Sequence, residues 1–170
     1  LSPDFYPWQM VTYMFMHGGF THILFNMFAL VVFGSALEKV WGEKRFLIYY
    51  MVCGIGSFFL YEFTVGLSIY SQIDSFDPGV DMGWVLGASG SVFGLLLGFG
   101  MLFPNTKLML LFPPIPIKAK YFVMGYGAIE LMTAFQNNPG DNVAHFAHLG
   151  GMLIGYIMIK KWQRDRTNFY

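Results

Sequence analysis

The sequence predicts an all-α membrane protein, a polytopic bundle of transmembrane helices. Three observations predict it. Of 170 residues, 55% are hydrophobic and only 12% are charged, against about 25% charged in an ordinary soluble domain. The apolar residues gather into five segments at about 21–40, 46–68, 86–103, 121–136 and 143–160, each near the roughly 20 residues that cross a 30 Å hydrocarbon core. The cations also sort by position. Lys39, Lys44 and Arg45 follow the first segment, Lys107, Lys118 and Lys120 lie between the third and fourth, and Lys160, Lys161, Arg164 and Arg166 form the tail. These are alternate ends of a five-span path, so all of them face the cytoplasm together. Asp4, Asp74, Asp77, Asp81 and Asp141 fall on the opposite side. Formal net charge is zero, which gives no electrostatic signal for a nucleic-acid partner.

Residues 1–20 carry Tyr6, Trp8 and Tyr13 between Pro3, Pro7, Gly18 and Gly19. That composition predicts an outer interfacial loop with short helices and headgroup-level aromatics. Span one holds His22 and Asn26 at i, i+4, which puts both on one helical face. Span two contains Gly54 and Gly56 and the sole cysteine, Cys53, which reads as a small buried hydrophobe. An acidic outer loop follows, from about 69 to 86. Span three is short: Gly87 and Gly90 delay regular helix until about Ser89, leaving roughly 22 Å of helix up to Phe103. Ser89 therefore lies below the outer surface, where non-helical backbone is tolerated only inside protein or along a wet cavity. The stretch Leu108–Ile117 is too short and too rich in proline to span, and reads as an extended or interfacial connection. Span five places Ala144, His148, Gly151 and Gly155 on one face, and span three repeats glycine at 90, 94 and 98. Small residues at that spacing let membrane helices approach closely.

Two polar residues stand out in this apolar setting, Ser89 in Gly-Ala-Ser-Gly and His148 in Ala-His-Leu-Gly-Gly. Polar side chains inside a bilayer are costly and tend to be functional. A hydroxyl and an imidazole are the minimum set for nucleophilic acyl chemistry, the ring taking the hydroxyl proton. His145 is a rival base three residues earlier, and His17 reads as a structural tie for the outer loop. For His22 and Asn26 the plain alternative is an interhelical polar clamp, and for Ser89 a helix N-cap. Glu62 and Glu130 lie within spans and read as internally hydrogen-bonded; Glu38 reads as a local cap or partner of the basic loop. Although His145-x-x-His148 and His17-x4-His22 offer ligand atoms, no His-Glu-x-x-His stands on a span. No metal and no cofactor is expected.

From Trp8 to about Tyr156 the chain resembles the rhomboid intramembrane serine proteases. The resemblance rests on four ordered motifs: His17, His22 and Asn26 in His-Gly-Gly-Phe-Thr-His-Ile-Leu-Phe-Asn; Glu38 before Trp41-Gly42; Gly-Ala-Ser-Gly at 87–90; and Ala-His-Leu-Gly-Gly with the Gly151/Gly155 pair. It implies a cofactor-free endopeptidase that cuts transmembrane helices near their outer ends, with Ser89 as nucleophile and His148 as general base. The two form a dyad without a third carboxylate. It also implies oxyanion donors at His22, Asn26 and the Ser89 N–H, with Phe93 and Gly87 beside the histidine ring and the substrate. Two positions depart from the pattern: Gln9 follows Trp8 where some members have arginine, and Phe93 stands where a tyrosine is common.

The expected domain is a single membrane unit over 1–170, with an outer loop at 1–20 and a cytoplasmic tail at 161–170. The chain opens on Leu1 without a basic signal-like segment, which reads as a missing first span of the family core and at least six spans in the full protein. The expected partners are transmembrane protein substrates and the lipid bilayer. The protein is expected to be multi-pass in a plasma or inner membrane if bacterial, its site open to the extracytoplasmic side. An inactive relative that binds membrane clients is the alternative function.

Overall fold

A computed structural model describes residues 5–71, 86–110, 113–136 and 144–167, without the side chains of 68–71, 166 and 167. Most of the acidic outer loop, Asp4 and Asp141 lie outside the described residues. The elements in chain order are α1 (Gln9–Thr12) with a 3-10 turn (Tyr13–Phe15), α2 (Phe20–Ala29), a π turn (Leu30–Gly34), α3 (Ser35–Trp41), α4 (Glu43–Ser71), α5 (Ser89–Leu102), β1 (Lys107–Met109), β2 (Pro116–Lys118), α6 (Ala119–Ala134) and α7 (His145–Thr167).

The bundle is apolar outside as well as in its core. Phe20, Phe25, Phe63, Met124 and Phe135 are each at least 60% exposed, an apolar exterior suited to hydrocarbon rather than to water. Among the described residues, two helical stretches, Phe20–Trp41 and Glu43–Leu67, are long and apolar enough to cross a membrane. With 29 residues, α4 is about 43 Å long and outruns the hydrocarbon core, so it accommodates by tilting or projecting. The opposite holds for α5, whose 14 residues give about 21 Å. It is also the most enclosed helix, with ten of its residues buried, packed between α4 and α7.

Glycine makes that enclosure possible. A Cβ on Gly151 of α7 would run into the Gly90 carbonyl of α5, and one on Gly94 would stand 2.7 Å from the Cys53 sulfur of α4. The backbones are thus closer than any larger residue allows. Buried hydroxyls lock the three helices together, each donating to a carbonyl: Tyr49 to Gly94 at 2.7 Å, Ser91 to Tyr50 at 2.7 Å, and Ser57 to Ala147 at 2.6 Å. A core of Leu37, Tyr49, Cys53, Leu95 and Ile159 fills the inner half. Cys53 is fully buried, as a small hydrophobe would be.

The outer segment is short helices, and it is fastened to α4. The Tyr13 hydroxyl donates to the Gly54 carbonyl at 2.7 Å, and burial pushes this phenol up to about 12. At the basic end, Arg45 lies 5.9 Å over the Trp162 ring and Trp41 meets Trp162 edge-on at 5.4 Å. The two described ends of the proline-rich connection are extended, β1 pairing antiparallel with β2 so that Lys107 faces Lys118 and Met109 faces Pro116.

Two features add detail to the expected spans. Residues 161–167 are helical and continue α7, with Trp162 packed into the aromatic cluster of Trp41 and Tyr49. Span one runs unbroken over Phe20–Trp41 but widens to a π turn at Leu30–Gly34, where the Ser35 hydroxyl donates to the Val31 carbonyl at 2.6 Å. His22 and Asn26 precede that turn, so their shared face is kept.

Candidate active site

The turn at Gly87 and Ala88 leads into α5 and presents the serine. Gly87 has φ +113, a conformation that side-chain-bearing residues rarely adopt. Its N–H donates to the Tyr13 carbonyl at 3.0 Å, tying the entry to the outer segment. Helix α5 then begins at Ser89, as the Gly-Ala-Ser-Gly spacing predicts. The first N–H groups of a helix have no intrahelical acceptor and carry the positive end of its dipole. Ser89 is thus a half-buried hydroxyl beside unspent backbone donors.

The Ser57–Ala147 hydrogen bond and the Gly90–Gly151 approach bring α7 alongside, and His148 arrives with them. His148 Nε2 lies 2.9 Å from Ser89 Oγ, a distance at which the hydroxyl donates to the ring. Phe93, one turn below Ser89, stacks on the imidazole with centroids 4.1 Å apart and planes at 9°. The ring is therefore held on its face by Phe93 and at its Nε2 edge by Ser89.

The other edge is held by a carboxylate. Glu130 of α6 is 6% exposed, and its Oε2 lies 2.9 Å from His148 Nδ1 and 2.6 Å from His145 Nδ1. The resemblance implies a dyad with no third carboxylate; here a carboxylate stands within hydrogen-bond distance of the far ring nitrogen. Glu130 was expected to be satisfied internally, and its partners are these two histidines. Thr133 Oγ1 completes the cluster, 3.1 Å from His145 Nδ1. His145 is turned 89° to His148, with ring centroids 6.3 Å apart, and meets the carboxylate. Glu130, His145 and His148 each offer a ligand atom within 4.8 Å of the others, a donor set of the kind that binds zinc.

His22 and Asn26 sit across the entry. A Cβ on Gly87 would stand 2.7 Å from His22 Nε2, so that ring abuts the serine loop. The Asn26 amide donates to the His22 carbonyl at 2.9 Å; the asparagine is buried and stabilises its own turn. His17 meets His22 edge-on at 5.2 Å. Both its ring nitrogens are buried without a hydrogen-bond partner among the described residues, so its tie to the outer loop is by packing. Glu62 is half-buried on α4.

A helical membrane bundle that sets a serine hydroxyl against a histidine ring at the head of a short buried helix defines a narrow class. The model of the Rhomboid domain matches residues 4–162, and the chain belongs to that family. It is 29% identical over 160 residues to the rhomboid-type protein YdcA of Bacillus subtilis, covering 92% of this chain and 70% of that one. Mitochondrial Rhomboid protein 1 of Saccharomyces cerevisiae is 33% identical over 146 residues, 84% of this chain and 38% of its own length. Rhomboid protease AarA of Providencia stuartii is 27% identical over 158 residues, 89% of this chain and 54% of its own. The chain thus spans about half or less of these last two relatives.

Proposed function

We propose that this protein is an intramembrane serine endopeptidase that hydrolyses transmembrane helical substrates near their outer ends. Ser89 Oγ attacks the scissile carbonyl carbon as its proton passes to His148 Nε2. The tetrahedral oxyanion is met by the Ser89 N–H and by side chains of His22 and Asn26. Asn26 would have to swing from the His22 carbonyl to reach it. His148 then returns the proton to the departing amine, leaving an acyl-enzyme. Water, deprotonated by the same ring, releases the new carboxyl end and restores Ser89.

The 2.9 Å Ser89–His148 hydrogen bond carries this reading, and the protease names among the relatives support it. Each donor aimed at the oxyanion is worth about 10²- to 10³-fold in rate. The site lies at the end of the bundle opposite the Arg45–Trp162 cluster, which favours an opening on the extracytoplasmic side of a multi-pass protein. A substrate helix must unwind there before its carbonyl is exposed to attack.

A fluorophosphonate probe on the detergent-solubilised protein tests the assignment. Labelling of Ser89 is expected in the wild type and absent in Ser89→Ala and His148→Ala. A folded wild-type protein that stays unlabelled, and leaves a panel of transmembrane substrates intact by mass spectrometry, is instead an inactive client-binding relative.

A further inference from the structure

Resting on that reading, we infer that Glu130 is a positioning residue that holds His148 in the tautomer able to accept the Ser89 proton. The argument begins with the ring. A neutral imidazole has one N–H and one lone pair, and the hydrogen bond at one nitrogen selects the state of the other. An ionised carboxylate only accepts, so at 2.9 Å from Glu130 Oε2 the Nδ1 must carry the hydrogen. Nε2, facing Ser89 at 2.9 Å, is then the bare nitrogen a general base needs. As the proton moves from Ser89 to Nε2, the ring becomes an imidazolium, and the same carboxylate stabilises that charge without itself taking a proton.

The rest of the cluster explains how a carboxylate survives inside the bundle. Glu130 is 6% exposed, and a buried charge persists only when paired and hydrogen-bonded. His145 supplies the second donor to the same Oε2, at 2.6 Å; Thr133 Oγ1 on α6, whose own hydroxyl donates to the Ile129 carbonyl, lies 3.1 Å from that Nδ1 as a weaker second acceptor. His145 is thus the anchor of the anchor. It fixes the carboxylate, which fixes His148. Three helices contribute to this cluster: Thr133 and Glu130 on α6, His145 and His148 on α7, and Ser89 on α5.

The test compares Glu130→Gln and Glu130→Asp with wild type, measuring kcat and KM on a transmembrane substrate, the rate of fluorophosphonate labelling at Ser89, and thermal unfolding. Glu130→Gln is expected to lower kcat and the labelling rate together by about 10²- to 10⁴-fold, the scale on which a wrong tautomer acts, with KM within about threefold. Glu130→Asp, a carboxylate set back by one methylene, is expected to recover at least tenfold of that loss (roughly the effect of restoring the correct tautomer at poorer geometry). If Glu130→Gln does not fold, imidazole ¹⁵N shifts of the wild type decide: His148 protonated at Nδ1 supports the inference, and protonation at Nε2 overturns it. Wild-type labelling at Ser89 with an undiminished rate in folded Glu130→Gln overturns the role of Glu130 alone. Absence of labelling in the wild type overturns the serine-protease reading and this inference with it. Activity lost in EDTA and restored by zinc would assign the three side chains to a metal and also overturn it.

Discussion

Phe93 takes no part in bond making in the proposed mechanism, but it stacks on the ring that does. Its stack on His148 is worth about 0.5–1.5 kcal/mol beyond area burial. Phe93→Ala is therefore expected to lower kcat/KM up to about tenfold, while Phe93→Tyr stays within about twofold, because the ring face is kept. Steady-state kinetics on one transmembrane substrate separates them. Gly87→Ala tests the serine entry: its φ of +113 and the His22 ring 2.7 Å from a new Cβ predict a loss of about 1–3 kcal/mol, read by thermal unfolding in detergent. At this scale the sequence was most legible where backbone geometry demanded glycine and where a polar group had no other reason to be in a bilayer. It was least legible at Glu130. The signal was present, since a carboxylate near the outer end of one span and two histidines at the outer end of the next share a depth. What residue order does not contain is the rotation of α6 and α7 about their axes, and that rotation decides whether they touch.

Helices α5 and α7 stand or fall on the absence of side chains between them. Gly151→Val drives its Cβ into the Gly90 carbonyl, and overpacking a contact this tight costs about 3 kcal/mol or more. Loss of folded protein on size exclusion, together with loss of Ser89 labelling, is the expected outcome. Gly125→Ala is the matched control: a Cβ there meets nothing within 4 Å, so its elution and labelling should equal wild type. Element boundaries were readable where composition changed sharply, as at Ser89 after Gly87. They were not readable at the π turn of Leu30–Gly34, which no local residue announces, nor at the end of α7, where basic residues concealed a helix continued by Trp162.

For the whole molecule, the sorting of Lys and Arg in sequence meets the clustering of Trp41, Arg45 and Trp162 at one end of the bundle. This predicts sidedness. In a Cys53→Ala background, which removes the sole thiol, Tyr6→Cys should react with an impermeant maleimide on intact cells. Lys107→Cys should react only after permeabilisation. The reverse pattern would place the site on the cytoplasmic side and undo the proposed substrate end. Fold class was the easiest feature to read, because an apolar exterior and segregated charge are written into composition itself.

The most direct measurement is mass spectrometry of the protein reconstituted in proteoliposomes with a transmembrane substrate, following the products and any adduct on the enzyme. The expected result is a single set of cuts near the extracytoplasmic end of the substrate helix, and a fluorophosphonate adduct on Ser89 that blocks them. Cuts that persist in Ser89→Ala, or an adduct on any other residue, would contradict a mechanism built on that hydroxyl and the ring beside it.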